Sequence, residues 1–198
     1  MSVNMNPAGV GAINMTDLSG MDIETALMMV QTERTKLLDS QLKSQIEEVQ
    51  KRNELIGALN DMQAKLNGMK GTLDSKDAKP GDRVSEGAGT PTNKTLATEY
   101  ATQAFKLGMD PAPVTATPIK DAAGNVVGAT VTGMPTREGL EKAIPDLKSK
   151  LDSASNSQQM DMLRLQSLSN KRNEAFDTMT NFIKKMQDSR SSIIGNMR

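Results

Sequence analysis

Two long proline-free stretches, each with apolar residues recurring at intervals of seven, constrain this chain more than any other feature. The first runs from Asp22 to about Leu73. It holds the series Leu42, Val49, Ile56 and the companion series Leu38, Gln45, Arg52, Leu59, Leu66, Leu73. The second begins at Pro145, a residue suited to the first helical position, and contains neither proline nor glycine again until Gly195. Its series are Leu151, Gln158, Leu165, Arg172, Met179, Met186, Ile193 and Ala154, Asp161, Leu168, Ala175, Phe182, Ser189. A seven-residue repeat keeps one stripe of a helix facing one neighbour, so both stretches predict coiled-coil helices. At 1.5 Å per residue, helices over 22–73 and 145–197 each span about 75–80 Å. Their matched lengths predict a mainly α fold: a long antiparallel coiled-coil hairpin of the N- and C-terminal helices.

Local signals refine that picture. Asp17, Ser19 and Asp22 are acceptable N-caps, and Glu24 complements the start of the first helix dipole. Leu55, Met62 and Met69 widen the apolar stripe beyond what an isolated two-stranded coil needs. Gly57, Gly68 and Gly71 weaken the later turns. In the second helix the run SASNSQQ at 153–159 predicts a weak point or kink. The tetrapeptide Lys-Arg-Asn-Glu occurs in both helices, at 51–54 and at 171–174. It places Arg52 and Arg172 on a-like positions near mid-helix, where a polar residue lowers stability but fixes register. Coincidence between two charged helix faces explains the repeat equally well.

Between the helices the pattern changes. Residues 74–93, DSKDAKPGDRVSEGAGTPTN, read as a flexible connector. A short helix is expected over 94–107, stopped by Gly108, followed by a Pro-rich extended run. Then PIKDAAGNVVGATVTG predicts a β-hairpin with its turn at 121–125. A further short helix is expected over 136–144. The expected organisation is thus a disordered N-terminal export segment at 1–20, a coiled-coil helix at 21–73, a linker and small α+β insert at 74–135, and a short helix plus coiled-coil helix at 136–198.

Composition decides which functions remain open. The chain has no His, Cys or Trp. That removes Cys nucleophiles, His bases and the usual zinc sites. No Walker A, nucleotide-binding glycine motif or GxSxG is present. Glu47 and Glu48 read as solvated helix charges, and Asp121 as a turn residue. No enzyme activity, cofactor or metal is expected. With 24 basic and 24 acidic residues, electrostatic capture of nucleic acid is not expected either. No apolar run is long enough to span a membrane. The start, MSVNMNPAGVGAINMT, has no basic n-region and no charged side chain before Asp17. It reads either as a plain tail or as an uncleaved, unfolded export signal. The absence of cysteine excludes a disulfide framework and leaves the compartment open.

The 15 methionines act either as core filler where only Tyr100, Phe105, Phe176 and Phe182 are aromatic, or as an adaptable surface. The helix ends carry more apolar residues than a hairpin seam requires. Leu27, Met28, Met29 and Val30 form one run, and Phe182, Ile183, Met186, Ile193, Ile194 and Met197 reach nearly to the last residue. In a hairpin both clusters lie at the same end, where burial needs another subunit or a tight self-contact, and self-association is expected. The candidate self-assembly interface is Leu27, Met28, Val30, Phe182, Ile183, Met186, Ile193 and Ile194.

Residues 21–54, MDIETALMMVQTERTKLLDSQLKSQIEEVQKRNE, and 156–198, NSQQMDMLRLQSLSNKRNEAFDTMTNFIKKMQDSRSSIIGNMR, resemble the secreted filament and needle-tip-associated proteins of bacterial type III secretion systems, the EspA/SseB-like group. The resemblance implies a secreted, extracellular protein at the bacterial surface that forms a homo-oligomeric filament or tip. It further implies needle and translocon proteins as partners and a cytoplasmic chaperone before export. A different class remains: an intracellular coiled-coil adaptor or secretion regulator that binds a partner helix without polymerising.

Overall fold

A computed structural model describes residues 23–73 and 79–196. The expected export segment at 1–20 lies outside the described residues. The fold is mainly helical, with long N- and C-terminal helices packed against each other and a two-stranded antiparallel sheet between them in sequence. The elements run α1 (Ile23–Gly71), α2 (Asn93–Lys106), β1 (Thr115–Lys120), β2 (Val126–Gly133) and α3 (Arg137–Asn196). The chain divides into two compact units, and the division cuts both long helices. Residues 50–159 form one, here the insert unit; residues 1–49 and 160–198 form the other, here the end unit.

The insert unit has a closely packed core. Leu59, Met62, Leu66 and Met69 of α1 present successive buried positions at helical spacing. Ala97, Ala101 and Ala104 of α2 form a small-residue ridge in the same cluster. Such a ridge lets a helix approach its neighbours closely without large voids. Val84, Val114, Ala129 and Met134 close the cluster from the loops and β2. Leu140, Leu147 and Ala154 complete it from α3. Tyr100, the single tyrosine, is 3% exposed, and its hydroxyl donates to the Ala112 carbonyl at 2.7 Å. Burial, and secondarily the charge of Asp110, push its pKa up to about 12.

Local chemistry sets the element boundaries. Thr92 caps α2, its hydroxyl accepting from the Thr95 amide. At the other end Gly108 takes φ +68, a left-handed conformation that glycine adopts without a Cβ clash. The hairpin pairs Thr117 with Thr130 and Pro118 with Ala129. Its turn is organised by Asp121, whose carboxylate accepts the amides of Asn125 at 2.8 Å and Ala123 at 2.9 Å. The Asn125 amide contributes most to holding that carboxyl below its ordinary pKa.

Three sequence expectations need correction. The described part of the expected flexible connector, 79–92, is pinned. Val84 is 3% exposed and its amide donates to the Pro135 carbonyl at 3.0 Å. The Arg83 guanidinium donates to the Met134 carbonyl at 2.9 Å. Asn93, fully buried, donates through Nδ2 to Thr72 Oγ1 and the Ser85 carbonyl. Second, the expected short helix and the helix beginning at Pro145 are one continuous α3, with Pro145 inside it. Proline removes one N–H but need not end a helix whose neighbouring turns are held. At the start of α3, separately, the first amides are satisfied from the connector: Arg137 donates to Asp82 O and Glu138 to Pro80 O. Leu140 and Leu147, on opposite sides of the proline, bury the same stripe. Third, no break occurs over 153–159. Ala154 is buried there, and Gln158 Nε2 donates to Asn53 Oδ1, so a polar cross-helix pair replaces the missing apolar contact.

Candidate self-assembly interface

The end unit is built from 23–49 of α1 and 160–196 of α3. Its seam follows the predicted heptads. Leu38 and Val49 of α1 and Ala175 of α3 are buried, while Leu42, Leu165, Leu168, Met179, Phe182 and Met186 are half-buried. Three polar residues share the buried set: Thr35, Gln45 and Asp161. The Thr35 hydroxyl donates back to the Gln31 carbonyl at 2.9 Å. Gln45 Nε2 and Gln31 Oε1 are buried without a hydrogen-bond partner. Each orphaned amide group carries a desolvation cost that a dry aliphatic seam avoids.

Arg172, predicted to set register, is half-buried. Its Nε donates to Asp39 Oδ1 across the seam, and its guanidinium lies 4.9 Å from the Phe176 ring centroid. The ion pair links α3 to α1, while the Phe176 ring lies four residues along the same helix. Arg52 falls in the insert unit. It lines an open groove of about 320 Å³ with Leu55, Lys150, Ser149, Ser153 and Ser157. The two arginines of the repeated tetrapeptide therefore occupy different environments.

The predicted interface residues are largely uncovered. Leu27 is 40% exposed, Met28 38% and Val30 41%. Ile183 and Ile194 are also exposed, while Phe182 and Met186 are half-buried in the seam. The side chain of Ile193 lies outside the described residues. Ile23, Leu27, Val30 and Leu37 recur at intervals of three, four and seven, forming a second apolar stripe on α1 beside the seam stripe. A monomeric soluble protein rarely leaves such a stripe open.

Sequence reasoning overlooked a further cluster. Met160, Met162 and Leu163 are 68%, 51% and 63% exposed, spread around α3 outside the seam and not on one face. Counting from the seam positions Asp161 and Leu165 would have placed all three off the seam; the methionine enrichment had left core filling and an adaptable surface both open.

Among the described residues no group of three or more acidic side chains is placed to hold a metal ion. No helix among them is long and apolar enough to cross a membrane. What the fold and surface define is a helical hairpin with a packed insert unit and an end unit that leaves apolar side chains open. No protein-family model matches the chain, and no curated protein or solved structure shows significant similarity to it.

Proposed function

We propose that this protein is a structural subunit that assembles with copies of itself through its end unit. The observation that carries this reading is the exposed apolar stripe Ile23, Leu27, Val30 and Leu37 beside a thin, partly polar seam. Burying that stripe against another copy removes apolar surface from water, the usual driving force of subunit association. The resemblance of 21–54 and 156–198 to secreted filament and tip proteins supplies the setting. The subunit is exported by a type III secretion system, with a chaperone covering the same stripe beforehand. Outside the cell it builds a filament or tip that extends the needle and meets the translocon.

Electron microscopy and light scattering of purified protein test the assembly. Particles that grow with concentration are expected, and a strict monomer across a wide range would overturn it. Polar substitution of Leu27 and Val30 is expected to raise the concentration needed by at least about tenfold, the effect of losing two central apolar contacts. A reporter fused to residues 1–20 tests export. Its retention in the cell would favour a coiled-coil adaptor that binds one partner helix.

A further inference from the structure

Exposure divides the methionines between the two units. Among the described residues the exposed methionines are Met28, Met29, Met160 and Met162, and all four lie in the end unit. Met62, Met69 and Met134 are buried, and all three belong to the core of the insert unit. Met109, Met179 and Met186 are half-buried. The chain has no cysteine, so thioethers are its only sulfur groups. Met28 has a place the other exposed methionines lack. Counting back by sevens from Val49 passes Leu42 and Thr35 and reaches Met28, which therefore continues the seam stripe of α1. Thr35 and Val49 are buried and Leu42 is half-buried. Met29 shares its heptad position with Lys36 and Lys43, both exposed, and Met160 and Met162 flank the seam position Asp161 in sequence.

We infer that Met28 is an oxidation-sensitive modification site, where hydrogen peroxide converts the thioether to a sulfoxide and loosens the seam of the end unit. The sulfur lone pair attacks one peroxide oxygen, the O–O bond breaks and an S–O bond forms. Sulfur is oxidised by two electrons, the peroxide is reduced, and water leaves after proton transfer. The product replaces a flexible apolar side chain with a polar, chiral one. At Met28 this adds an acceptor to the seam stripe, about one turn before Gln31, whose Oε1 is already buried without a donor. At Met29, Met160 and Met162 the same reaction consumes oxidant without placing a polar group on a seam position. The loosening needs no second copy. Its effect on particle formation rests on the self-assembly reading, because the same turns of α1 carry Leu27 and Val30.

The full chain in dilute solution is treated with hydrogen peroxide, and each methionine is followed by peptide mass spectrometry. Met28, Met29, Met160 and Met162 are expected to oxidise at least about tenfold faster than Met62, Met69 and Met134. Once Met28 is a sulfoxide, amides of 23–49 are expected to exchange about fivefold faster, with those of the core helices in 50–159 unchanged. Methionine sulfoxide reductases are expected to restore the slower exchange. Met28→Leu keeps the position apolar and is expected to hold exchange constant through the same treatment, although Met29, Met160 and Met162 still oxidise. Met28→Gln sets a polar side chain there without oxidant and is expected to reproduce the faster exchange. Oxidation of Met28 no faster than that of Met62 would overturn the inference. So would a Met28 sulfoxide that leaves exchange in 23–49 unchanged, or equal loosening in the Met28→Leu protein, which would move the effect to Met179 or Met186.

Light scattering distinguishes loss of the switch from loss of self-assembly. Where the reduced protein forms particles, the peroxide-treated protein is expected to need about tenfold more protein to do so, and the treated Met28→Leu protein is expected to assemble as before. Equal assembly with and without the Met28 sulfoxide would overturn the link to particle formation. If the reduced protein forms no particles while oxidation of Met28 still loosens the seam, the self-assembly reading fails and the modification site stands.

Discussion

The insert unit and the end unit use the same two helices and the same seven-residue spacing, yet they bury very different things. In the insert unit, Met62, Leu66, Met69 and Leu140 are wholly buried, and α2 and the hairpin cover what two helices alone could not. In the end unit, two helices have only each other. Their seam buries Leu38, Val49 and Ala175 together with Thr35, Gln45 and Asp161, and a second stripe stays open. Heptad spacing therefore decides which residues face a neighbour, but the number of neighbours decides whether a core is finished. The insert unit is complete within one chain. The end unit reads as half of an interface.

The sharpest way to break this comparison is to make the same truncation in both units. Leu66→Ala removes a fully buried side chain and is expected to cost about 2–5 kcal/mol of the insert unit's stability. Leu38→Ala, in a seam flanked by half-buried neighbours that can relax, is expected to cost about 1–2 kcal/mol in dilute protein. Urea denaturation followed by far-ultraviolet circular dichroism measures both. Equal costs would mean that the two seams are equally well packed.

Close backbone approach gives the next effect. A Cβ at Gly139 would stand 2.9 Å from the Pro113 Cβ and 3.2 Å from Thr136 Oγ1. Gly139→Ala is expected to destabilise the insert unit by about 1–3 kcal/mol, since the proline ring cannot swing aside as a long side chain can. A thermal melt unchanged from the parent would show that the loop yields freely.

Tyr100 reports on the same core through pH. Its pKa is raised from 10.0 to about 12, so the folded state retains the phenolic proton where the unfolded chain has released it. The stabilisation is fully present below about pH 10 and is lost as pH rises toward 12. Because this is the single tyrosine, tyrosinate absorbance is expected to titrate near 12 in folded protein and near 10 in denaturant. Tyr100→Phe removes this pH dependence and, by deleting the bond to Ala112, is expected to cost about 1 kcal/mol at neutral pH. Titration at the ordinary value in folded protein would show an open core.

The smallest expected effect has the opposite sign. Gln45→Leu replaces a buried amide whose Nε2 has no partner and is expected to stabilise the end unit by up to about 1 kcal/mol. A loss of stability would show that the amide is satisfied where the seam buries it.

The long helices, their heptad phase and the hairpin turn were legible because each rests on local pattern: Leu38, Gln45, Leu59 and Leu66 on one stripe, Asp121 and Gly124 at the turn. The pinned connector was not legible. Its order comes from contacts such as Val84 with Pro135 and Arg83 with Met134, which join positions far apart in the chain. The continuity of α3 through Pro145 was hidden for the same reason, since it rests on packing of Leu140, Leu147 and Ala154 on both sides of the proline into one core. The division into units was missed because it depends on how many elements surround each helix, which spacing along a helix does not encode. At the proposed interface, Leu27 and Val30 were readable as surplus apolar residues, whereas the exposure of Met160 and Met162 was hidden in a count of methionines.

Hydrogen exchange read by mass spectrometry at rising protein concentration tests the central claim most directly. In dilute protein, amides of 23–49 and 160–196 are expected to exchange well before those of the core helices in 50–159. On assembly, protection is expected to rise in the first set, foremost around Ile23–Leu37, and to stay constant in the second. Equal protection in both sets when dilute, or no change with concentration in the first, would contradict the account of one finished unit and one that another copy completes.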